Sequence, residues 1–374
     1  MKSEKNNIII RADASKNIGT GHFMRAIALC YGLKFIGIYP ILITKDYNEE
    51  FIGLFKNKYK IKTIPNNINF IEDSVLTLDI AKKYKSKIII TDISNNTYLS
   101  NIEAHSNYLK SLKNFIDFLI TIDGMGDDCF CQKLMVPSDI VIIPYFGAEK
   151  KIYKLSKNTE LLAGASYFIF RPEFLNVQKL KNKYKKIATN ILVSMGGSDP
   201  FNYTSKILNA LIYFNRRPSI KARIVVGTGF SFSENENLKH LIKEYENNFE
   251  LIYNPDNMAK LMIWADIAII NSGLTKYETC VTGLPAIVLS QYKYHEELME
   301  DFVKSTGSVI HLGYGINVDE SLISKTVKDL SDNFQKRKTM SINGKKLVDG
   351  KGVERIISKI IEKTNIDTLV KSRF

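Results

Sequence analysis

What most constrains this chain is a repeated alternation. Short unbroken aliphatic runs, such as Ile8-Ile9-Ile10 and Ile88-Ile89-Ile90, are followed by stretches with apolar residues at helical spacing. Strands with one wet face read as period-two alternations. Continuous Ile/Val/Leu runs are the pattern of strands buried on both faces of a parallel sheet. Expected strands fall at residues 7–11, 41–44, 60–64, 87–91, 118–122 and 139–143, then at 187–194, 222–227, 249–252, 267–271, 286–289 and 309–312. Between them, Met24, Ile27, Ala28 and Tyr31 share one helical face, as do Leu238, Leu241, Ile242 and Tyr245. Strand–helix alternation along the whole length predicts an α/β protein with right-handed crossovers.

The alternation runs twice. A less regular stretch at 145–176 and a Lys-rich piece at 179–186 separate the rounds. We therefore expect a Rossmann-like domain over 1–176, a second over 187–350, and a C-terminal helix within 351–374 that packs back on the first domain. Two such domains facing a central cleft would bind ligands outside the carboxyl ends of their strands.

Composition narrows the ligand. The net charge of +13 comes from 52 basic and 39 acidic residues, but arginine stands at only nine positions. Scattered lysine of this kind reads as solvated faces and does not point to nucleic acid. An anionic small molecule and weak membrane association remain as partners. No apolar run reaches the roughly 18 residues of a membrane span, and no signal-peptide core follows Met1, so a cytoplasmic monomer is expected. Cys129-Phe130-Cys131 lacks the two-residue spacer of zinc knuckles and has no second pair, which argues against a structural metal. Neither a catalytic metal nor another cofactor is expected.

Three strand-to-helix turns carry the chemistry. The first runs from Arg11 through Asp13, Ser15, Gly19 and Gly21 to His22 and Arg25. Its glycines permit close backbone approach, and the helix start favours an anion. A neutral His22 there suits a general base. The second, Met195-Gly196-Gly197-Ser198-Asp199-Pro200, reads as a backbone cradle for a diphosphate, with Asp199 capping a helix that Pro200 begins. It lacks the Lys-Ser/Thr of a P-loop, so ATP hydrolysis is not indicated. The third, Asn271-Ser272-Gly273-Leu274-Thr275-Lys276-Tyr277-Glu278, puts Glu278 one turn into a helix, where a carboxylate can accept both ribose hydroxyls. The cluster Asp123-Gly124-Met125-Gly126-Asp127-Asp128 is either a sugar contact or a Gly-rich turn.

Taken in order, Arg11-Ala12-Asp13-Ala14-Ser15, Ile18-Gly19-x-Gly21-His22-x-Met24-Arg25, Gly196-Gly197-Ser198-Asp199-Pro200, Asn257-Met258-Ala259, Ser272-Gly273-x-Thr275-x-x-Glu278 and Gly283-Leu284-Pro285 resemble the UDP-sugar hydrolases of pseudaminic acid biosynthesis. They are also similar to the spore-coat-polysaccharide-type proteins. The resemblance spans most of residues 8–310. It implies the GT-B fold and hydrolysis of a UDP-linked diacetamido-trideoxy sugar to free sugar and UDP, with His22 activating water. It implies sugar contacts from Arg11, Asp13, Gly19, Gly21, Arg25 and Asp92. Gln291 stands where the family carries Asn-Gln, and His295 follows as a further polar contact. UDP would be held by Gly196, Gly197, Ser198, Asn257, Met258, Ser272, Gly273, Thr275 and Glu278. The alternative is a GT-B glycosyltransferase that uses the same UDP-sugar donor in surface polysaccharide assembly. Water against an acceptor hydroxyl is a small change, and fold does not decide it. The aromatic-Lys stretch from Tyr145 to Tyr153 would then dock the acceptor at a membrane.

Overall fold

The computed structural model describes residues 7–15, 18–47, 49–93, 102–124, 129–175, 177–179, 185–214, 220–364 and 366. The chain divides into two compact units. One comprises Met1–Pro172 with Lys351–Phe374, the other Glu173–Gly350.

In the first unit the elements are β1 (Ile8–Ala12), α1 (Gly21–Phe35), β2 (Ile41–Lys45), α2 (Glu49–Lys56), β3 (Lys60–Ile64), α3 (Phe70–Lys83), β4 (Ile88–Asp92), α4 (Ile102–Lys113), β5 (Phe118–Ile122), β6 (Ile140–Ile143) and β7 (Glu160–Ala163). The seven strands form one sheet in the order β3-β2-β1-β4-β5-β6-β7, and every pairing is parallel. Both faces are covered. Ile8 and Ile10 join α1 residues such as Ile27 and Leu33 on one side, while Ile9, Ile41, Ile43 and Ile89 meet Tyr108, Leu109 and Leu112 of α4 on the other. That double burial is the physical reason the central strands, such as β1 and β4, show no alternation.

In the second unit, β8 (Asn190–Ser194), α5 (Tyr203–Phe214), β9 (Lys221–Val226), α6 (Phe232–Ile242), β10 (Phe249–Tyr253), α7 (Met258–Trp264), β11 (Ile267–Asn271), α8 (Thr275–Thr282), β12 (Ala286–Ser290), α9 (His295–Thr306), β13 (Val309–Tyr314), α10 (Glu320–Asp332) and α11 (Phe334–Leu347) follow. Its six parallel strands run β10-β9-β8-β11-β12-β13. The chain then returns to the first unit as α12 (Gly352–Thr364), whose Val353, Ile356, Ile357 and Ile360 are buried with α1.

Two differences from the sequence reading stand out. β7 was not foreseen. It has four residues and a single strand neighbour, β6, and its Glu160 faces Lys359 and Lys363 of α12 at 3.0 and 2.9 Å. A strand that short leaves only Leu161-Leu162-Ala163 as a hydrophobic signal. Pro200 does not begin a helix either: α5 starts at Tyr203.

In both sheets the order reverses once, between β1 and β4 and between β8 and β11. Loops that leave the carboxyl ends of such neighbouring strands diverge and open a crevice. The candidate residues cluster at these two points.

Candidate functional site

At the first reversal the register pairs Ala12 of β1 with Asp92 of β4. That places the end of β4 beneath the start of α1. His22 Nδ1 lies 2.6 Å from Asp92 Oδ1. Arg25, one turn further along α1, grips the same carboxylate twice, Nε to Oδ2 at 2.8 Å and Nη2 to Oδ1 at 2.7 Å. Its Nη1 donates to the Tyr145 hydroxyl at 2.6 Å.

This geometry fixes the imidazole tautomer. A carboxylate only accepts, so Nδ1 carries the proton and donates it to Asp92. The Arg25 Nη2 atom 2.9 Å from Nδ1 is then a contact, its hydrogen bond going to Asp92. Nε2 is left with its lone pair, and among the described residues none hydrogen-bonds it. Asp92 itself is fully buried, which opposes ionisation, but the charge of Arg25 and the hydrogen bonds from Arg25 and His22 outweigh burial and hold its carboxyl down to about 2. Asp92 is therefore a permanent anion behind the ring.

The loop before α1 is shaped by Gly19 at φ +76, whose N–H bonds the Ser15 carbonyl at 2.8 Å while Ser15 Oγ accepts from Ile18 N. A Cβ at Gly19 would meet nothing within 4 Å, so a side chain there would meet backbone strain and no clash. Thr20 makes no side-chain cap, which leaves the first turn of α1 without one.

Four expected sugar contacts are corrected by burial. Arg11 and Asp13 have no accessible surface. Arg11 is clamped between Asp13 (2.5 and 3.0 Å) and Asp73 (3.1 and 2.7 Å), and Asp13 Oδ1 also accepts from Lys45 N. Arg25 is 5% exposed and spent on Asp92 and Tyr145. Asp92 stands behind His22. All four brace the end of the sheet and none presents a group to a ligand. Asp73 and Lys45 are members of these networks that the sequence did not single out, and Tyr145, expected in the acceptor-docking stretch, is instead half-buried and bonded to Arg25. In the third cluster, Asp123 is buried and bonded to its own loop, and Asp127 and Asp128 lie outside the described residues.

At the second reversal three loops meet. Asn271, the last residue of β11, donates to Met195 O at 2.8 Å and to Gln291 Oε1 at 3.2 Å, and its Oδ1 accepts from Gly273 N. Gln291 Nε2 returns to Met195 O at 3.3 Å. Asn271 thus ties the loops after β8, β11 and β12 together, a role hidden in a motif whose glycines drew attention. Gly196 sits at φ +97 with Asn271 Nδ2 where a Cβ would need room, 3.0 Å away. Gly197 O accepts from Gly229 N, and a Cβ on Gly227 would fall 2.4 Å from that same oxygen, so the turn after β9 is glycine for contact reasons.

Ser272 Oγ lies 3.0 Å from His295 Nδ1, and Lys276 Nζ donates to Ser272 O at 2.8 Å. Burial, with help from Lys276, pushes the His295 ring down to about 4, so it is neutral near pH 7. Burial lowers Lys276 to about 8. Glu278 is on the first turn of α8 and 8% exposed. Thr275 and Gly273 are half-buried at the same helix start, and Ser198 is half-buried beside exposed Gly197.

Here too some side chains are committed. Asp199 caps α5 through Tyr203 N (3.0 Å) and Thr204 N (2.6 Å). Asn257 caps α7 through Lys260 N at 2.9 Å, and Met258 is buried, so only the backbone of this pair is offered to a ligand. Gln291 is tied to its neighbouring loops as described, so a sugar contact from its amide would have to displace one of those bonds. His295 keeps a ring edge on Tyr294 (centroids 4.2 Å apart) and Tyr292 (5.7 Å).

Comparison with known proteins gives these two sheets a common frame. The chain superposes on S. aureus MnaA in complex with UDP with a TM-score of 0.66, at 14% identity over 99% of each chain. The fold is GT-B. Within it, residues 190–356 match the C-terminal domain of glycosyltransferase family 28. This GT-B chain is 29% identical over 350 residues to the spore coat polysaccharide biosynthesis protein SpsG of Bacillus subtilis, covering 93% of this chain and 95% of that one. It is 28% identical over 327 residues to an uncharacterized protein of Methanocaldococcus jannaschii, covering 84% of this chain but 62% of that relative's length. No described helix is long and apolar enough to cross a membrane.

Proposed function

We propose that the protein is an enzyme that breaks the bond between a sugar and UDP, with water as the acceptor. The observation that carries this reading is the His22–Asp92–Arg25 arrangement. It presents Nε2 as a base while the proton on Nδ1 is held by a carboxylate that cannot itself become protonated near neutral pH. Nε2 takes a proton from water as oxygen bonds to the anomeric carbon and the carbon–oxygen bond to the diphosphate breaks. The imidazolium so formed is stabilised by Asp92, as in other Asp–His pairs. The departing UDP gathers negative charge, which the backbone N–H groups of Gly196 and Gly197 and the start of α8 are suited to receive. Glu278 is the proposed ribose ligand. The UDP bound by the S. aureus relative and the polysaccharide role named for SpsG support a nucleotide sugar of surface-glycan assembly. The motif resemblance favours a UDP-linked diacetamido-trideoxy sugar.

A second reading, transfer to an acceptor hydroxyl, is favoured by the glycosyltransferase family 28 match and by one surface feature. Ile152, 91% exposed, and Met135 project among exposed Lys133, Lys150, Lys151, Lys154 and Lys157, a setting suited to an acceptor held at an anionic membrane. Incubation of the purified protein with a panel of UDP-sugars and no acceptor separates the two. Release of UDP with free sugar supports hydrolysis. UDP release only after a lipid or glycan acceptor is added overturns it in favour of transfer.

A further inference from the structure

Cys129, Cys131 and Asp123 are far from a metal-binding motif in sequence terms, yet the fold gathers them at the end of β5. All three are buried, and one ligand atom from each lies within 4.8 Å of the others. Cys129 Sγ is 3.5 Å from Cys131 Sγ and 3.4 Å from Asp123 Oδ2. In a tetrahedral zinc site, bond lengths of about 2.3 Å to sulfur and 2.1 Å to oxygen set ligand–ligand edges of about 3.8 Å (S to S) and 3.6 Å (S to O). The two measured edges are about 0.2–0.3 Å shorter than those. The carboxylate is also held in place: Oδ1 accepts from Gly124 N (2.7 Å) and Phe130 N (3.2 Å), and Oδ2 from Cys131 N (2.9 Å). Metal ligands are commonly oriented by such outer hydrogen bonds.

We propose that Asp123, Cys129 and Cys131 supply three ligands of a tetrahedral site for a thiophilic d10 cation, Zn²⁺, with water as the fourth, and that the cation ties Cys129 and Cys131 to the end of β5. On binding, each thiol gives its proton to solvent and forms a Zn–S bond. The Cys129 proton now shared with Asp123 Oδ2 leaves, and that oxygen becomes the third ligand. The cation takes no part in the chemistry proposed for His22, and the test below reads metal binding instead of turnover.

The test uses the full chain, reduced and stripped by a chelator, with Cys30→Ala and Cys280→Ala to remove the other two thiols. Titration with Cd²⁺ should produce a thiolate-to-metal ultraviolet band that saturates at one equivalent, and Zn²⁺ should displace it and raise the unfolding temperature. Cys129→Ser or Cys131→Ser should abolish the band. The unsubstituted chain, purified without chelator, should carry zinc by elemental analysis, which keeps the test decisive if the variants fold poorly. A stripped protein that gives no cadmium band, or a band that survives Cys129→Ser with Cys131→Ser, overturns the proposal. Thiols that hydrogen-bond to Asp123 and nothing more would be the reading left.

Discussion

The free nitrogen of His22 is set by what lies behind the ring. With Nδ1 donating to Asp92, His22→Asn retains a polar side chain but offers no base at the Nε2 position. Turnover should fall about 10²–10⁴-fold, the usual range for a general base, while UDP affinity, measured by calorimetry, changes by a few-fold at most. A variant that turns over at nearly the normal rate would reduce His22 to a residue of the first helical turn. Asp92 gives a second handle. Its carboxyl is held near 2 in the folded protein, against about 3.9 in an unfolded chain. Between those values the unfolded chain binds more protons, so stability rises with pH across roughly pH 2–4 and the full contribution is present above it. Urea midpoints at pH 3 and pH 5 should therefore differ less in Asp92→Asn than in the parent. The variant should also be less stable at both, because Arg25 keeps a buried charge without its partner; an unchanged pH 5 midpoint would contradict this. In the second unit, Glu278→Ala should weaken UDP binding by about 1.5–3 kcal/mol through lost charge-assisted hydrogen bonds. Calorimetry that finds no loss removes Glu278 from the ribose. Arg11, Asp13, His22, Arg25 and Asp92 all drew attention in the sequence, but their division of labour was not readable there. Polar residues beside a glycine loop look alike until strand order decides which end up beneath the sheet edge. Asp92 meets His22 only because β4 crosses to the far side of β1.

Elements show the same limit. Twelve of the thirteen described strands were legible; in the central ones double burial writes itself into consecutive aliphatic residues, while outer strands such as β3, Lys60-Ile61-Lys62-Thr63-Ile64, are only partly buried. β7 escaped because an edge strand of four residues leaves little pattern. A C-terminal helix packed on the first domain was expected, but the residue that makes the joint between α1 and α12 was not legible, since that joint rests on a missing side chain. A Cβ on Gly32 would lie 2.6 Å from Ile357 Cδ1 and 2.7 Å from Val353 Cγ1. Gly32→Ala should overpack that joint and cost about 1–3 kcal/mol, against the slight gain a helical Gly→Ala brings at an open site. Ile357→Ala should cost about 2–5 kcal/mol by leaving a cavity. The two together should cost less than their sum, because the new methyl occupies space that Ile357 vacates. Urea unfolding of the two single variants and the double variant checks this, and strict additivity would show that α12 does not rest on Gly32. Gly352 is tighter: a Cβ there would lie 2.1 Å from Phe168 O, a backbone atom with little freedom to yield.

Across the molecule, the charge of +13 is spread over both units, and one patch of the first unit joins exposed Lys133, Lys150, Lys151, Lys154 and Lys157 to exposed Ile152 and Met135. If that patch serves a membrane, the protein should sediment with vesicles rich in anionic phospholipid and not with zwitterionic ones. Binding should weaken in salt, as screening predicts, and Ile152→Glu should reduce it without altering turnover of a soluble UDP-sugar. Equal binding to both vesicle types would remove the membrane from the account. The duplicated architecture was plain in the sequence because each half repeats the same burial problem. The return of the chain as α12 has a further consequence, in the time order of synthesis. Residues 353–360 leave the ribosome after the whole second unit, yet four of their side chains complete the apolar layer against which α1 lies. The unit that begins first is thus finished last. Until α12 emerges, Ile27, Leu33 and their neighbours must stay soluble without their cover, in a nascent chain whose second, continuous unit can already close on its own.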